Sequence, residues 1–278
     1  MSSLAKGEAE AGAVIQSAIE KFAGQLAAVI KRFLHQKSWR ETQSIVVGGG
    51  LRASRVGEPA IARTGILMKE AGTDIDVGPI HNKPDEAGLI GTAHLLPPWM
   101  VTGHDAVLAV DVGGSNIRAG IVALNAGKAR DLSKASVFDI NIWRHRDEDQ
   151  LDRDDAIERL TGMLRKLAKD AARTNLRLAP VIGVGCPGLI REDGSIETGA
   201  QNLPGNWQSS RFNLPRALRE EIPRIGEHET MVVMHNDAVV QGLSELPYVE
   251  VERWAVLTIG TGLGNARFST RSKKKPKH

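Results

Sequence analysis

The chain has 278 residues, of which 41% are hydrophobic and 25% charged, a balance typical of a globular protein with a substantial core. Its formal net charge is +3, but five basic residues lie within the last eight positions, and the rest of the chain has a net charge of −2. The body carries no basic stripe, so we do not expect a nucleic-acid partner; the tail is typical of a solvated end or of a nucleic-acid or localisation arm. The single cysteine, Cys186, excludes internal disulfides and cysteine-rich zinc sites, and we expect it to be a small buried residue and not a nucleophile.

No segment of the sequence indicates export or insertion into a membrane. The first residues lack the apolar core of a signal peptide, and no uninterrupted apolar run approaches the ~18 residues that span a bilayer. We therefore expect a soluble, cytoplasmic protein without a membrane partner.

The first hundred residues are predicted to alternate between helices and short strands. Residues 11–34 place apolar side chains at spacings of three and four, the pattern of one buried helix face. The elements predicted after this helix are a strand at 45–47, a helix at 54–70, a strand at 74–80 and a helix at 85–96. The proline-rich run at 96–99 interrupts the pattern and predicts a domain boundary near residue 103.

A second unit begins at Ala106 with three predicted strands and a long amphipathic helix. In chain order we predict strands at 106–111, 116–124 and 135–143, a helix at 153–173, a strand at 180–185, a hairpin around Asp193, a helix at 214–221, a strand at 231–235 and a helix from Ala238. The remaining segment, 253–270, again predicts a strand, a glycine turn and a hairpin partner.

Three glycine-rich segments each follow a predicted strand, at Gly48–Gly50, Gly113–Gly114 and Gly260–Gly264. Glycine has no Cβ, so such turns let a nucleotide approach the backbone closely. The sequence DVGG at 111–114 also suits a plain hairpin turn.

The first glycine segment has a second interpretation. Gly48, Gly50 and Ala53 fit the dinucleotide-binding pattern G-x-G-x-x-A, with Glu70 as the acidic residue that the pattern requires.

The C-terminal segment repeats the pattern that opens the second unit. Thr258 takes the place of Asp111 and Gly260 that of Gly113, at an offset of 147 residues. Joined to the N-terminal elements, this segment makes a second copy of the same unit that lacks its third strand. We therefore predict a circularly permuted chain, in which helix 11–34 and strand 45–47 pack with hairpin 254–269.

Six motifs along most of the chain resemble the ROK family of sugar kinases and repressors. They are DVGGSNIRAG, GVGCPGLI, NLPGNW, HNDAVVQGLSE, TIGTGLGN and IVVGGGL, the last of which ends the chain in ordinary members. The resemblance implies an α/β protein with two ribonuclease-H-like lobes of the actin-like ATPase kind around a nucleotide cleft, the second lobe split between the chain ends and incomplete. The implied domains are 1–103 (the C-terminal-type lobe, adenosine side), 104–250 (the N-terminal-type lobe, with phosphate and sugar sites) and 251–278 (the first hairpin of the C-terminal-type lobe, with a second phosphate loop and the tail).

The resemblance also implies which residues bind ATP and Mg²⁺. Asp111 would hold Mg²⁺ through water, next to a first phosphate loop. The implied nucleotide-binding residues are Gly113, Gly114, Ser115 and Asn116 in the first loop, Thr258, Gly260, Thr261, Gly262 and Gly264 in the second, and Gly48, Gly49 and Gly50 on the adenosine side.

On the sugar side, the resemblance implies that Asp237 is the general base for the attacking hydroxyl. Pro187 and Gly188 would shape the floor of the site, and Asn202 and Asn236 would bind sugar hydroxyls together with Asp237. Asp237 is also typical of a helix N-cap, and NLPGNW of a plain turn.

Three departures from the family pattern stand out. The chain lacks the zinc-binding cysteine cluster, so we expect no zinc, and it lacks the Gly-Glu…Gly-His element with which relatives grip the sugar. His235 stands where an acidic residue usually precedes the Asn-Asp pair. The expected function is a glucokinase-like transfer of phosphate from ATP to a hexose or amino-hexose hydroxyl; a sugar sensor and a nucleotide-binding protein without kinase activity are the alternatives.

The absent third strand would leave a sheet edge or an apolar flank uncovered, which natural proteins usually avoid. We therefore expect either a further upstream segment or a partner chain, as in a homodimer, at that edge. Sugar affinity is expected to be poor, since the residues that would complete the grip belong to the same absent piece.

Overall fold

The computed structural model describes residues 3–270, with side chains from residue 10 onward, and the chain divides into two compact units. Unit 1 comprises Met1–Ile80 and Glu250–His278, and unit 2 comprises His81–Val249. The basic tail at 271–278 lies outside the described residues. The predicted mixed α/β class is confirmed.

The described residues form seven α-helices and eleven strands. The helices are α1 (Ser3–His35), α2 (Gly57–Glu70), α3 (Pro84–Ala93), α4 (Pro98–Val101), α5 (Arg153–Arg173), α6 (Leu214–Glu221) and α7 (Asp237–Leu243). The strands are β1 (Ser44–Gly48), β2 (Asp76–Pro79), β3 (Ala106–Val112), β4 (Ile117–Ala123), β5 (Ser136–Trp143), β6 (Leu178–Cys186), β7 (Arg224–Ile225), β8 (His228–Glu229), β9 (Met231–Asn236), β10 (Arg253–Ile259) and β11 (Leu263–Ser269).

The sheet of unit 1 is built from both ends of the chain. Its strand order is β11-β10-β1-β2, with β1 parallel to β10 and β2, and β11 antiparallel to β10. One face packs against α1 and α2 through a buried core that includes Leu26, Ile30, Ile45, Ile61 and Leu257. The prediction that strand 45–47 pairs with the C-terminal segment and not with β3 is confirmed.

In residues 3–270, β11 pairs with β10 alone, so it is an edge strand of this sheet. The third strand that the sequence analysis found absent has no counterpart in the described part of the sheet.

Helix α1 is 33 residues long, and among its side chains from residue 10 onward the buried ones lie in the C-terminal part. Ala23, Leu26 and Ile30 are buried, whereas Val14 is 69% exposed. By length and composition, Glu10–His35 could cross a membrane, although its apolar residues do not form an uninterrupted run. Packed helices of soluble proteins have the same length and composition.

Unit 2 is built on a five-stranded sheet of order β5-β4-β3-β6-β9. Strands β3, β6 and β9 are parallel, and β4 is antiparallel to both of its neighbours. Leu160 and Leu164 of α5 pack on one face, and Leu89 and Ala93 of α3 pack on the other. Because the carboxyl ends of parallel strands share one edge, β3, β6 and β9 bring the residues that follow them to the same place.

The chain passes from unit 1 to unit 2 after Ile80, and not at the boundary predicted near residue 103. Helix α3 belongs to unit 2 because its apolar side chains Leu89 and Ala93 are fully buried in the core formed with β3. The proline run at 96–99 starts the short helix α4 and is not a linker.

Candidate active site

The carboxyl ends of β3, β6 and β9 bring three of the predicted motifs together. In the register of these parallel strands, Asp111 lies opposite Gly185, and Cys186 lies opposite Asn236. The turn after β3, the turn after β6 and the start of α7 therefore lie side by side at one sheet edge. The predicted site residues at this edge are Asp111, Gly113, Gly114, Ser115, Asn116, Pro187, Gly188, Asn236 and Asp237.

Asp111 is a buried carboxylate, 3% exposed, with a guanidinium partner. Its Oδ2 accepts a hydrogen bond from Nη1 of Arg118 at 3.2 Å, and Nε of Arg118 donates to Oδ1 of Asp85 at 2.8 Å. Burial raises the pKa of Asp111, and the charge of Arg118 opposes that rise. Helix α3 passes close to the carboxylate: a Cβ added to Gly88 would lie 2.5 Å from Cγ of Asp111.

The first predicted phosphate loop is a tight turn between β3 and β4. The N–H of Gly113 donates to the carbonyl of Asn116 at 2.8 Å. Two further contacts come from the segment after β5: Nε2 of His145 lies 2.8 Å from the carbonyl oxygen of Gly113, and the N–H of Arg146 donates to the carbonyl of Ser115 at 3.3 Å. A plain hairpin turn does not need these two added bonds.

The carboxylate of Asp237 has a raised pKa. Burial, followed by the negative charge of Asp111, raises the pKa of Asp237 to about 6. Such a carboxylate is still ionised at neutral pH and is a stronger base than an ordinary aspartate.

The thiol of Cys186 is fully buried at the end of β6, which confirms the expectation for this residue. Burial and the charges of Asp237 and Asp111 raise its pKa well above the usual range. A thiol that stays protonated is not a nucleophile at neutral pH.

Asn236, and not Asp237, is the N-cap of α7. Its side-chain oxygen accepts hydrogen bonds from the N–H groups of Ala238 and Val239 at 3.0 and 3.3 Å. Its Nδ2 donates to the carbonyl of Gly188 at 2.9 Å. The amide predicted to bind sugar therefore also connects α7 to the turn after β6.

The turn after β6 depends on glycine. Gly188 has φ of 106°, a conformation that other residues rarely adopt, and an added Cβ would collide with the carbonyl oxygen of Thr198. That same oxygen accepts a hydrogen bond from the N–H of Leu189 at 2.9 Å. Pro187 and Gly188 are thus held between α7 and the segment near Thr198.

Asn202 lies apart from these turns, and His235 affects the charge beside Asn236. Asn202 is exposed, in a turn that packs through Gly205 against Arg153 at the start of α5. Nδ1 of His235 accepts the N–H of Asn236 at 2.8 Å, and desolvation lowers the pKa of the His235 ring. At neutral pH His235 is uncharged and does not replace the negative charge of an acidic residue.

In unit 1, the glycine segment after β1 lies beside the end of β10. Gly48 is opposite Thr258, which is itself buried. Gly49 has φ of 85°, and a Cβ added there would lie 2.6 Å from both N and O of Ile259. The close approach of two backbones explains the glycine at this position.

The turn between β10 and β11 is the second predicted phosphate loop. The N–H of Gly260 donates to the carbonyl of Gly262 at 3.0 Å, across Thr261. Gly264, predicted as part of this loop, is a residue of β11 and lies opposite Thr258.

The dinucleotide-binding interpretation of Gly48–Gly50 does not fit the structure. That fingerprint requires a helix to begin at the glycines, so that its N-terminus faces the pyrophosphate. Here a 3₁₀ turn at Gly50–Ala53 comes first, and α2 begins at Gly57.

Three residues of the site were missed in the sequence. Arg118 could have been found, because a tight hairpin places it directly opposite Asp111. Gly88 and His145 reach the site from α3 and from the segment after β5, and no spacing in the sequence indicates these contacts.

No family model and no curated protein sequence matches the chain, whereas solved structures do. A ROK hexokinase from Thermus thermophilus is 23% identical, with a TM-score of 0.42, over 59% of this chain and 47% of that one. A ROK family glucokinase from Streptomyces griseus, solved with glucose and AMPPNP, is 15% identical, with a TM-score of 0.44, over 59% and 44%. A ROK family transcriptional regulator, a homologue of the E. coli MLC protein, is 17% identical, with a TM-score of 0.44, over 59% and 36%.

All three belong to the family that the sequence motifs resemble. The chain matches less than half the length of each.

Proposed function

We propose that the chain is an ATP-dependent sugar kinase of the ROK type, which transfers phosphate to a hydroxyl of a hexose or amino-hexose. The observation that carries the proposal is Asp237, a carboxylate with a pKa of about 6 at the same sheet edge as the glycine turn after β3. The six motifs that resemble ROK proteins supply the substrate class.

Asp237 would act as the general base. The sugar oxygen forms a bond to the γ-phosphorus of ATP, the bond from that phosphorus to the β,γ-bridging oxygen breaks, and ADP leaves. The hydroxyl proton passes to the carboxylate of Asp237. The Gly188 turn and the amide of Asn236 would position the sugar beside it.

The glycine turns suit phosphate because their backbone N–H groups offer donors without interference from side chains. Asp111 suits Mg²⁺ as a single carboxylate that binds through water, since Mg²⁺ commonly keeps several waters and takes its remaining ligands from phosphates. Among the described side chains, no group of three or more His, Cys, Asp or Glu residues could form a larger metal site, and we propose no zinc. When bound, Mg²⁺ would neutralise charge on the phosphates.

Within unit 1, Thr258–Gly262 would be the second phosphate turn and Gly48–Gly50 the adenosine-side segment. The pairing of Gly48 with Thr258 puts these two segments next to each other within the unit.

A protein that binds nucleotide or sugar without catalysis is the second candidate. Two observations favour it: Arg118 already donates to one oxygen of the Asp111 carboxylate, and the side-chain amide of Asn236 is engaged on both of its polar atoms. In that case the site would sense ligands and transfer no phosphate.

Incubation of the full chain with ATP, Mg²⁺ and a panel of hexoses and amino-hexoses separates the two candidates. A kinase releases ADP only in the presence of its sugar, and the release is lost in Asp237→Asn. A thermal shift with ATP–Mg²⁺ or a sugar, without ADP release for any sugar tested, would favour the non-catalytic protein.

A further inference from the structure

We infer that His145 is a positioning residue for the first phosphate loop, because it sets the direction in which the N–H of Gly114 points. The identity of the ligand rests on the proposed function, whereas the positioning itself does not. His145 is 5% exposed and lies two residues after the end of β5. Its ring makes an edge contact with Trp143 at 5.7 Å between centroids, and Nε1 of Trp143 donates to Glu148 at 2.8 Å.

The partner of His145 decides which ring nitrogen carries the hydrogen. Nε2 lies 2.8 Å from the carbonyl oxygen of Gly113, and a carbonyl oxygen can only accept. Nε2 is therefore protonated and donates, in the neutral ring as well as in the cation.

The geometry of the peptide bond transmits this contact to the other side of the loop. A trans peptide is planar, so the carbonyl of Gly113 and the N–H of Gly114 point in opposite directions. With the carbonyl held by His145, the N–H of Gly114 points away from His145. The bond from Arg146 to the carbonyl of Ser115 directs the N–H of Asn116 in the same way.

The peptide bond between Gly113 and Gly114 requires a hydrogen bond from another segment to fix its orientation, because glycines flank it on both sides. Without a Cβ at Gly113 or Gly114, rotation of the peptide meets little steric resistance, and the rotated state would turn a carbonyl oxygen toward a bound phosphate. A phosphate attracts N–H groups and repels carbonyl oxygens. His145 thus keeps the loop in the orientation that binds an anion.

The test uses the full chain with three variants. His145→Phe keeps the ring volume and removes the donor, and His145→Gln supplies an amide N–H in place of Nε2. The matched control is His94→Leu: His94 is a partly buried histidine of unit 2, and its Nε2 has no hydrogen-bond partner within the described residues.

The first readout needs no ligand. Hydrogen exchange of the Gly113 amide, which is bonded to the carbonyl of Asn116, should accelerate on the order of tenfold in His145→Phe, recover in His145→Gln and stay unchanged in His94→Leu. Unchanged exchange in a folded His145→Phe overturns the inference whether or not the chain is a kinase. If His145→Phe does not fold, the ¹⁵N spectrum of the wild-type ring decides: a neutral tautomer protonated at Nδ1 overturns it.

The second readout is nucleotide use. The KM for ATP should rise on the order of tenfold in His145→Phe while the KM for sugar stays constant, and His145→Gln should restore it. Faster exchange without a change in KM for ATP would overturn the link between His145 and nucleotide. A chain that phosphorylates no sugar would contradict the proposed function and leave the exchange result standing.

Discussion

Asp111 and Asp237 are two carboxylates at one sheet edge, and their neighbouring residues affect their pKa values differently. Arg118 pairs with Asp111 and opposes the effect of burial on its pKa. For Asp237, burial and the charge of Asp111 act in the same direction and raise the pKa to about 6. This difference supports the proposed roles of the two side chains, charge binding for Asp111 and proton transfer for Asp237.

Asp237→Asn should abolish sugar phosphorylation, with a loss of at least about 10²-fold, because the amide cannot accept the hydroxyl proton. Nucleotide affinity should stay within a few-fold, since Asn236 still caps α7. Sugar-dependent ADP release and a nucleotide titration measure the two quantities. Asp154→Asn, at a side chain 80% exposed on α5, is the control. Full turnover in Asp237→Asn would reduce Asp237 to a residue of the first helical turn.

Asp237 should also make stability depend on pH. Its folded-state pKa of about 6 lies above the unfolded value, so the native state binds more protons between about pH 4 and 6. Its contribution to stability is therefore lost as pH rises through 6. Relative to the wild type, Asp237→Asn should be more stable at pH 7, by about 2–3 kcal/mol at most, with no difference below about pH 4. Urea unfolding of both proteins at the two pH values measures this; an equal difference at both would contradict it.

Site residues that lie together in one short segment could be predicted from the sequence. Asp111 with its glycine turn, and Asn236 with Asp237, could be predicted because each group lies at the end of a strand. The roles of His145 and Gly88 could not be predicted, because they depend on contacts between segments that are distant in the sequence. The division between Asn236 as cap and Asp237 as a partly buried acid also required coordinates, since either residue suits the start of a helix.

At the level of secondary structure, α3 relies on glycine for close packing. A Cβ on Gly91 would collide with the backbone of Val240 in α7, and one on Gly88 would press on Asp111. Gly162 in the middle of α5 differs, since nothing lies within 4 Å of the place where its Cβ would be. Replacing glycine by alanine is therefore expected to have opposite effects on stability in α3 and α5.

Gly88→Ala should destabilise the protein by about 1–3 kcal/mol, because the added methyl group displaces Asp111 or the helix. Gly162→Ala is the matched control and should stabilise by about 0.5–1 kcal/mol, since alanine is the better helix former and meets no obstacle. Denaturant midpoints of the two variants measure the effect. A Gly88→Ala protein as stable as Gly162→Ala would show that α3 does not press on the carboxylate.

Helices with a clear apolar face could be predicted from the sequence, whereas the domain boundary depends on tertiary packing. The bounds predicted for α5 and α6 are those observed, and a capping box formed by Asp152 and Asp155 marks the start of α5. The proline run at 96–99 resembles a domain boundary in composition, which does not show that Leu89 and Ala93 are buried with β3. The two-residue strands β7 and β8 are too short to give a periodic pattern.

At the scale of the whole molecule, the two units differ in how the chain builds them. Unit 2 is one continuous stretch, whereas unit 1 needs both ends, because the parallel pair β1 and β10 lies in the middle of its sheet. Circular permutation of a ROK-type chain would explain this connectivity, and it remains our hypothesis. It implies that the order of the segments can be changed without changing the pairing of the strands.

A re-ordered chain tests that hypothesis. It begins at Gly103, runs to Thr270, continues through a flexible Gly/Ser linker of about 20 residues, which spans roughly 25 Å, and ends with residues 10–102. The new ends fall in an exposed turn where Gly103 has φ of 83°, a type of site that tolerates cutting. We expect cooperative unfolding, with a stability within about 1 kcal/mol of the wild type, because every strand keeps its partners.

The control opens the chain between Leu108 and Ala109, inside the fully buried central strand β3, with the same linker. This variant should not fold, since it interrupts the pairing of β3 with both β4 and β6. Circular dichroism and urea unfolding of the two variants give the comparison. If both variants fail to fold, the present order of segments is a requirement of this protein, and the permutation hypothesis is wrong. If only the control fails to fold, the pairing of β1 with β10 is independent of chain order, as the permutation hypothesis requires.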